Sequence, residues 1–469
     1  MTKTDRVNNQ IKKLEVSKDQ KKNLYAHVKQ AKSKTSSVGP IKDAKGVLRS
    51  TDQEMSTSFS DLLGDQLKPT YSWKSINWSK PHKDSPEITT KSLFVTAEAV
   101  KHQILKAKRS AAAGPDGIPM EALSIARDIL SEPLTALYNL INQTSEVPKC
   151  FRTARVKMLY KKGEKCDMLN YRPLSMSNHI CKIWERLING TLIDHLELNN
   201  LLSNNQHGFR PSRGTATNLS SVLGPTLWLL YIQSLTTILD RLGVDYMAYA
   251  DDISIFQRIS TQEEKKKFEG ILMILQGWAK KFGMKWSPLK TKRMVFKYQN
   301  LGEPHPPFEM VFGGKIITPL ESTCVSLGII FDKNCTFSSQ IKKVCNQIRA
   351  LTSLIKQEFA SITPALLKKY YQVYIMPALI YCSQVWNPGS EVQLRAIENA
   401  VEMFWRLSKN GPPVDHISPR LQLLILDLNF VKKLWDRKSV LNFDEIFRRL
   451  SRATIAHMTT NTWAQFSRA

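Results

Sequence analysis

Long apolar runs are missing from these 469 residues: none reaches the span of about 20 residues that a membrane-crossing helix needs. The N-terminus is too polar for a signal peptide, so nucleus or cytoplasm is the expected compartment. Cysteine is sparse and scattered. The seven lie at positions 150, 166, 181, 324, 335, 345 and 382, with no Cys-x-x-Cys and no Cys/His cluster. That excludes a zinc module and a secreted disulfide framework. No internal repeat is visible, which excludes a solenoid. Acid is short as well. Against 41 Asp plus Glu stand 67 Lys plus Arg, a net charge of +26. Such an excess calls for a polyanionic partner, nucleic acid first, because neutralising phosphates releases counterions. A membrane surface would use the same charge but finds no anchor here.

What is present suits a globular chain of two or three lobes. Residues 1–34 are polar and Lys-rich, either a solvated linker or an RNA-binding arm. Residues 36–46 are turn-rich, residues 53–63 read as helix, and a Pro/Ser/Trp-rich stretch runs to Pro86. A boundary falls near Thr89. Beyond it, residues 96–108 place Ala97, Val100, Ile104 and Leu105 on one face of an amphipathic helix. From Thr336 onward the chain reads as largely helical, with an apolar stripe of Leu366, Tyr370, Val373 and Tyr374.

The segment Val-Asp-Tyr-Met-Ala-Tyr-Ala-Asp-Asp-Ile-Ser-Ile-Phe, residues 244–256, sets two β-prone runs around Asp251 and Asp252. It reads as a hairpin with carboxylates at its tip, although an acidic dipeptide in a turn is commonly only a turn. Four further blocks precede it: Ala-Gly-Pro-Asp-Gly-Ile-Pro at 113–119, the Lys-rich stretch from Leu159 through Arg172 to Leu174, Gln-His-Gly-Phe-Arg-Pro-Ser-Arg-Gly at 206–214, and Ser-Val-Leu-Gly-Pro-Thr-Leu-Trp-Leu-Leu at 221–230.

In this order the blocks resemble the reverse transcriptase of non-LTR retrotransposons, the LINE-like and especially the jockey-like elements. Ser-Pro-Leu-Lys-Thr-Lys at 287–292, Leu-Gly-Ile-Ile-Phe-Asp at 327–332 and Gln-Val-Trp-Asn-Pro at 384–388 extend the likeness. The resemblance implies an α+β right-hand polymerase of fingers, palm and thumb, with a truncated palm sheet and a helical C-terminal region. It divides the chain into a basic arm (1–89), fingers and the start of the palm (90–218), the remaining palm (219–320), and a thumb with helical C-terminal region (321–469). It implies RNA-directed DNA polymerase activity on an RNA template, a DNA primer or RNA–DNA duplex, and dNTP, with two Mg²⁺ ions. Carboxylate oxygens suit that hard cation. Asp251 and Asp252 become metal ligands and Tyr249 a neighbour of the primer terminus. Lys161, Lys162, Arg172 and Arg210 face the triphosphate or the template, and Lys290 protonates the leaving pyrophosphate. The lysines read equally as solvated surface, and Trp386 and Tyr381 read as core.

One departure matters. The family carries a long stretch between the Gly-Phe-Arg block and the Leu-Gly-Pro block, with a Phe-x-Asp strand for the first metal-binding aspartate and a Pro-Gln-Gly. Here only Leu219 and Ser220 lie between Asn218 and Ser221. The nearest substitutes, Asp240 and Asp245, follow no strand of the right type. Loss of the strand should impair catalysis and leave the hairpin with an unpaired edge. The alternative function is a non-catalytic protein that binds RNA or RNA–DNA duplex.

Overall fold

The computed structural model describes residues 38–67, 93–210, 222–259, 261–287, 290–296, 310–312, 315–317, 322–359, 362–408 and 411–436. The junction at 218–221 and the arm at 1–34 lie outside them. The chain divides into two compact units, one spanning Ser37–Trp286 and the other beginning at Ser287. The division falls inside the stretch expected to be palm. Among the described residues the structure is helix-rich, with five sheets of two strands each. No described helix is long and apolar enough to cross a membrane.

The first unit opens with strands β1 (Ile41–Lys42) and β2 (Leu48–Arg49) and helix α1 (Asp52–Leu67). Glu54 returns a carboxylate to the Thr51 backbone N–H, fixing the start of α1. Phe59 and Met55 of α1 then bury themselves with Ile41, Met168 and Tyr171. Helices α2 (Ala97–Lys106), α3 (Met120–Ile125) and α4 (Arg127–Thr144) follow. Thr96 caps α2, and its Val100 and Ile104 enter a core with Met120, Leu134, Tyr138 and Ile183. Leu105 does not join them. It is 51% exposed, because α2 turns only its 100/104 edge inward.

Strands β3 (Arg155–Tyr160) and β4 (Tyr171–Met176) form an antiparallel hairpin, with Leu159 opposite Arg172. Helix α5 (His179–Leu198) then packs through Ile193 and Leu196 against Leu229 of α6 (Gly224–Arg241). The Ala-Gly-Pro-Asp-Gly block sits at the start of α5, where Asn178 Oδ1 accepts from the Asp116 N–H. Gly114 has no room for a side chain there, since a Cβ would stand 2.6 Å from that oxygen. Strands β5 (Asp245–Tyr249) and β6 (Asp252–Phe256) and helix α7 (Gln262–Lys281) complete the unit.

The second unit carries strands β7 (Met310–Phe312), β8 (Lys315–Ile317), β9 (Thr323–Ser326) and β10 (Ile329–Asp332). Helices α8 (Ser338–Glu358), α9 (Pro364–Tyr370), α10 (Met376–Ile380), α11 (Ser383–Trp386), α12 (Glu391–Trp405) and α13 (Pro419–Trp435) follow. Its core joins Ile348, Leu366, Tyr370, Val373, Trp386 and Phe404. Trp386 is fully buried, as its core reading requires, whereas Tyr381 is 47% exposed and its hydroxyl donates to the Leu327 carbonyl. A π-helical turn, Tyr371–Ile375, links α9 to α10.

Candidate active site

The hairpin expected at 244–256 is present. Tyr249 pairs with Asp252, leaving Ala250 and Asp251 as a two-residue turn. Period-two alternation sorts its side chains. Tyr246 and Ala248 are buried on one face, while Asp245, Met247, Tyr249 and Asp252 share the more exposed one. Asp251 and Asp252 are both exposed, and only Asp252 stands on a strand face.

The turn is strained and held. Ala250 adopts a left-handed conformation with φ 56°, a backbone state that costs a non-glycine residue roughly 1–2 kcal/mol. Its N–H donates to Gln206 Oε1 at 3.3 Å, and its carbonyl accepts from Trp228 Nε1 at 2.9 Å. Gln206 Oε1 also accepts the Gly208 N–H at 2.9 Å. Gly208 presses directly on the turn, for a Cβ there would meet the Ala250 nitrogen at 2.1 Å. Trp228 is itself stacked on Tyr231, whose ring meets Trp278 and Phe282 of the α7 end edge-on.

The expectation of an open hairpin edge is corrected at Ala248. Its N–H donates to the Asn205 carbonyl at 2.9 Å, and its carbonyl accepts from the His207 N–H at 2.8 Å. The Gln-His-Gly block thus runs parallel to β5 and covers it there.

Arg210 is buried rather than open to solvent, with 6% exposure. Its Nε and Nη2 grip both carboxylate oxygens of Glu197 at 2.8 and 2.5 Å, and Nη1 donates to the Ser203 carbonyl at 2.6 Å. The fork geometry of arginine suits this clamp, and what it fixes is the loop that lies along β5.

Arg172 is exposed on β4. Register puts Arg155 and Lys157 of β3 on its face, and both are exposed. Sequence reading passed over this pair, although their spacing in Arg-Val-Lys-Met-Leu-Tyr carries the period-two signal. Lys161 and Lys162 are exposed in the following loop. That loop is well tied: the Lys161 N–H donates to the Asn170 carbonyl, the Tyr160 hydroxyl to the Gly163 carbonyl, and the Lys42 N–H to the Cys166 carbonyl. Lys290 is exposed in the other unit, in a turn closed by its N–H on the Ser287 carbonyl.

The candidate substitutes for the missing carboxylate do not converge with the acidic pair. Asp240 accepts from the Tyr246 hydroxyl at 2.9 Å, on the opposite face of the hairpin from Asp252. Burial and the Asp240 carboxylate help raise the Tyr246 phenol to about 12, against which its bond to Ser203 pulls down. Asp245 shares a face with Asp252 but lies four residues away along the strand direction, about 13 Å. Among the described residues no group of three His, Cys, Asp or Glu side chains is set to hold a metal ion. The described carboxylates therefore do not fit a two-ion site.

Residues 218–329 match the family of reverse transcriptases (RNA-dependent DNA polymerases). The chain resembles the reverse transcriptases of non-LTR elements. Over 204 residues it is 26% identical to the RNA-directed DNA polymerase from mobile element jockey of Drosophila melanogaster, covering 43% of this chain and 22% of that protein. It is 21% identical over 356 residues to the probable RNA-directed DNA polymerase from transposon BS of the same fly, covering 56% of this chain and 39% of the relative. The jockey polymerase of Drosophila funebris is 31% identical over 130 residues, covering 28% of this chain and 14% of the relative. The chain thus spans less than half the length of these relatives. The matched reverse transcriptase segment contains both the acidic turn and the α6 helix that braces it.

Proposed function

We propose that this chain is a retrotransposon reverse transcriptase that holds RNA template, DNA primer or RNA–DNA duplex and dNTP, with its nucleotidyl transfer impaired. The observation that carries the reading is the β5–β6 turn, which presents Asp251 and Asp252 at an exposed tip inside the segment matched to the family. Tyr249, on the Asp252 face, borders the primer terminus. The exposed face of Arg155, Lys157 and Arg172, extended by Lys161 and Lys162, meets the phosphates of template or triphosphate, and Lys290 serves the leaving group. Arg210 acts by holding the loop beside β5. The right-hand assignment places fingers and palm before thumb, with boundaries near residues 89, 218 and 320.

Impairment follows from the carboxylate set. In the family's chemistry a Mg²⁺ pair aligns the primer hydroxyl and stabilises the leaving pyrophosphate. Two aspartates adjacent on one turn diverge, and no described third carboxylate stands with them. Nucleus or cytoplasm is the compartment that suits a template-bound enzyme of this kind.

The test is primer extension on an RNA template in Mg²⁺, run beside duplex binding at rising salt. We expect extension at background and binding that falls steeply with salt. Vigorous Mg²⁺-dependent extension that Asp251→Ala abolishes would refute the impairment. Binding indifferent to salt would refute the grip. The second reading, a binding protein without chemistry, is favoured if extension stays at background in Mn²⁺ as well.

A further inference from the structure

We propose that Gln206 and Trp228 are positioning residues for the acidic turn: together they hold the N–H and the carbonyl of Ala250 and so set where Asp251 is presented. The inference rests on the reading of Asp251 and Asp252 as the reacting tip.

Three observations carry it. First, the turn needs external holding, because a two-residue hairpin loop with positive φ at its first position ordinarily carries glycine there, and here that residue is Ala250 at φ 56°. A strained conformation persists only when its surroundings over-determine it. The two groups that do so come from different places, a buried side chain on the 205–208 segment and an indole on α6.

Second, Gln206 is an expensive choice if it only fills space. It is 1% exposed, its Oε1 takes two backbone N–H groups, and its Nε2 is buried with no hydrogen-bond partner. Methionine would fill a similar volume without an unmet donor. What methionine lacks is the acceptor, so the acceptor is what the position uses.

Third, Trp228 is fixed by more than its contact with the turn. Its ring stacks on Tyr231 at 6.0 Å, and Tyr231 meets Trp278 and Phe282 of the α7 end. The indole N–H is therefore aimed by the α6–α7 packing. Adjustment of that packing would be transmitted to the turn through one hydrogen bond.

The experiment measures amide hydrogen exchange at Ala250 in the full chain for Trp228→Phe, Gln206→Met and Gln206→Glu. Trp228→Phe keeps the stacked ring and removes the donor. Gln206→Met keeps the bulk and removes the acceptor, while Gln206→Glu keeps the acceptor. Exchange at Ala250 should accelerate about tenfold in the first two, with α8 exchange unchanged, and should return to the parent rate in Gln206→Glu. Where the unaltered chain extends a primer, the first two variants should lower kcat with the KM for dNTP held within about twofold. Parent-like exchange in both Trp228→Phe and Gln206→Met overturns the proposal, as does a Gln206→Glu variant that behaves like Gln206→Met. Should Gln206→Met fail to fold, Trp228→Phe decides alone. An unaltered chain that never extends a primer is what the impaired transfer leads one to expect, and it leaves the exchange comparison standing as the deciding test.

Discussion

Replacing Gly208 with alanine should unseat the acidic turn. The added Cβ would lie 2.1 Å from the Ala250 nitrogen, 2.9 Å from its Cα and 3.0 Å from the Tyr249 carbonyl carbon. All three are backbone atoms, so no side chain can swing away. The 205–208 segment must retreat from β5 by an ångström or more. Overpacking of this kind costs about 1–3 kcal/mol. Retreat also stretches the His207-to-Ala248 and Ala248-to-Asn205 hydrogen bonds, each worth about 1 kcal/mol net. A loss of roughly 3–5 kcal/mol is expected, a large fraction of the roughly 5–15 kcal/mol that holds a domain. Urea unfolding of the full chain, with hydrogen exchange over 244–256 to locate the change, measures it. Gly190→Ala is the control: Gly190 lies within α5 with no atom near its missing Cβ, so alanine should stabilise by about 0.5–1 kcal/mol. Gly208→Ala within 0.5 kcal/mol of the parent would refute the close approach.

Two further outcomes follow from buried charge. Removing the Glu197 carboxylate by Glu197→Ala strands the buried Arg210 guanidinium and should cost on the order of 3 kcal/mol, read as a lower urea midpoint for the first unit; Arg210→Met with Glu197→Ala should recover part of it. In the second unit, burial lowers the His416 pKa, and its Nε2 accepts from Trp405 Nε1 at 3.2 Å. A group depressed on folding contributes stability that is present above its ordinary value and is lost as pH falls through the folded value. Thermal unfolding of this unit should therefore weaken below about pH 6.5, and His416→Phe should flatten that dependence; an unchanged slope would count against it.

Much of the hairpin was legible because alternation and turn chemistry act locally. The apolar runs around Asp251 and Asp252 fix both register and tip, and the stripe of Leu366, Tyr370 and Val373 fixes a helical face, all three being buried. The π-turn at Tyr371–Ile375 leaves no mark in such a stripe. Arg210 was legible as part of a block but not in its role, since its partner Glu197 lies thirteen residues upstream on another element. Asp240 fails as a metal ligand for a similar reason: its bond to Tyr246 puts it behind the hairpin, a matter of packing that spacing does not carry. Gln206 and Trp228 stood inside recognised blocks and drew no role, because what they hold is backbone, and a backbone contact has no sequence signature. Leu105 and Tyr381 were misjudged by periodicity alone, which gives a face but not what lies opposite it.

The hydrogen bonds between Ala248 and the 205–207 segment also bear on repair of the chain. A strand reinserted after Asn218 to pair with β5 would find that part of the edge occupied by Asn205 and His207. Restoration is then an exchange of one neighbour for another, and its gain is the difference between two pairings. A short graft that carries the right carboxylate could be outcompeted by the resident segment. Successful rescue would need the Gln-His-Gly block to find a new position, and Gly208, pressed on the turn, would be the first residue to move.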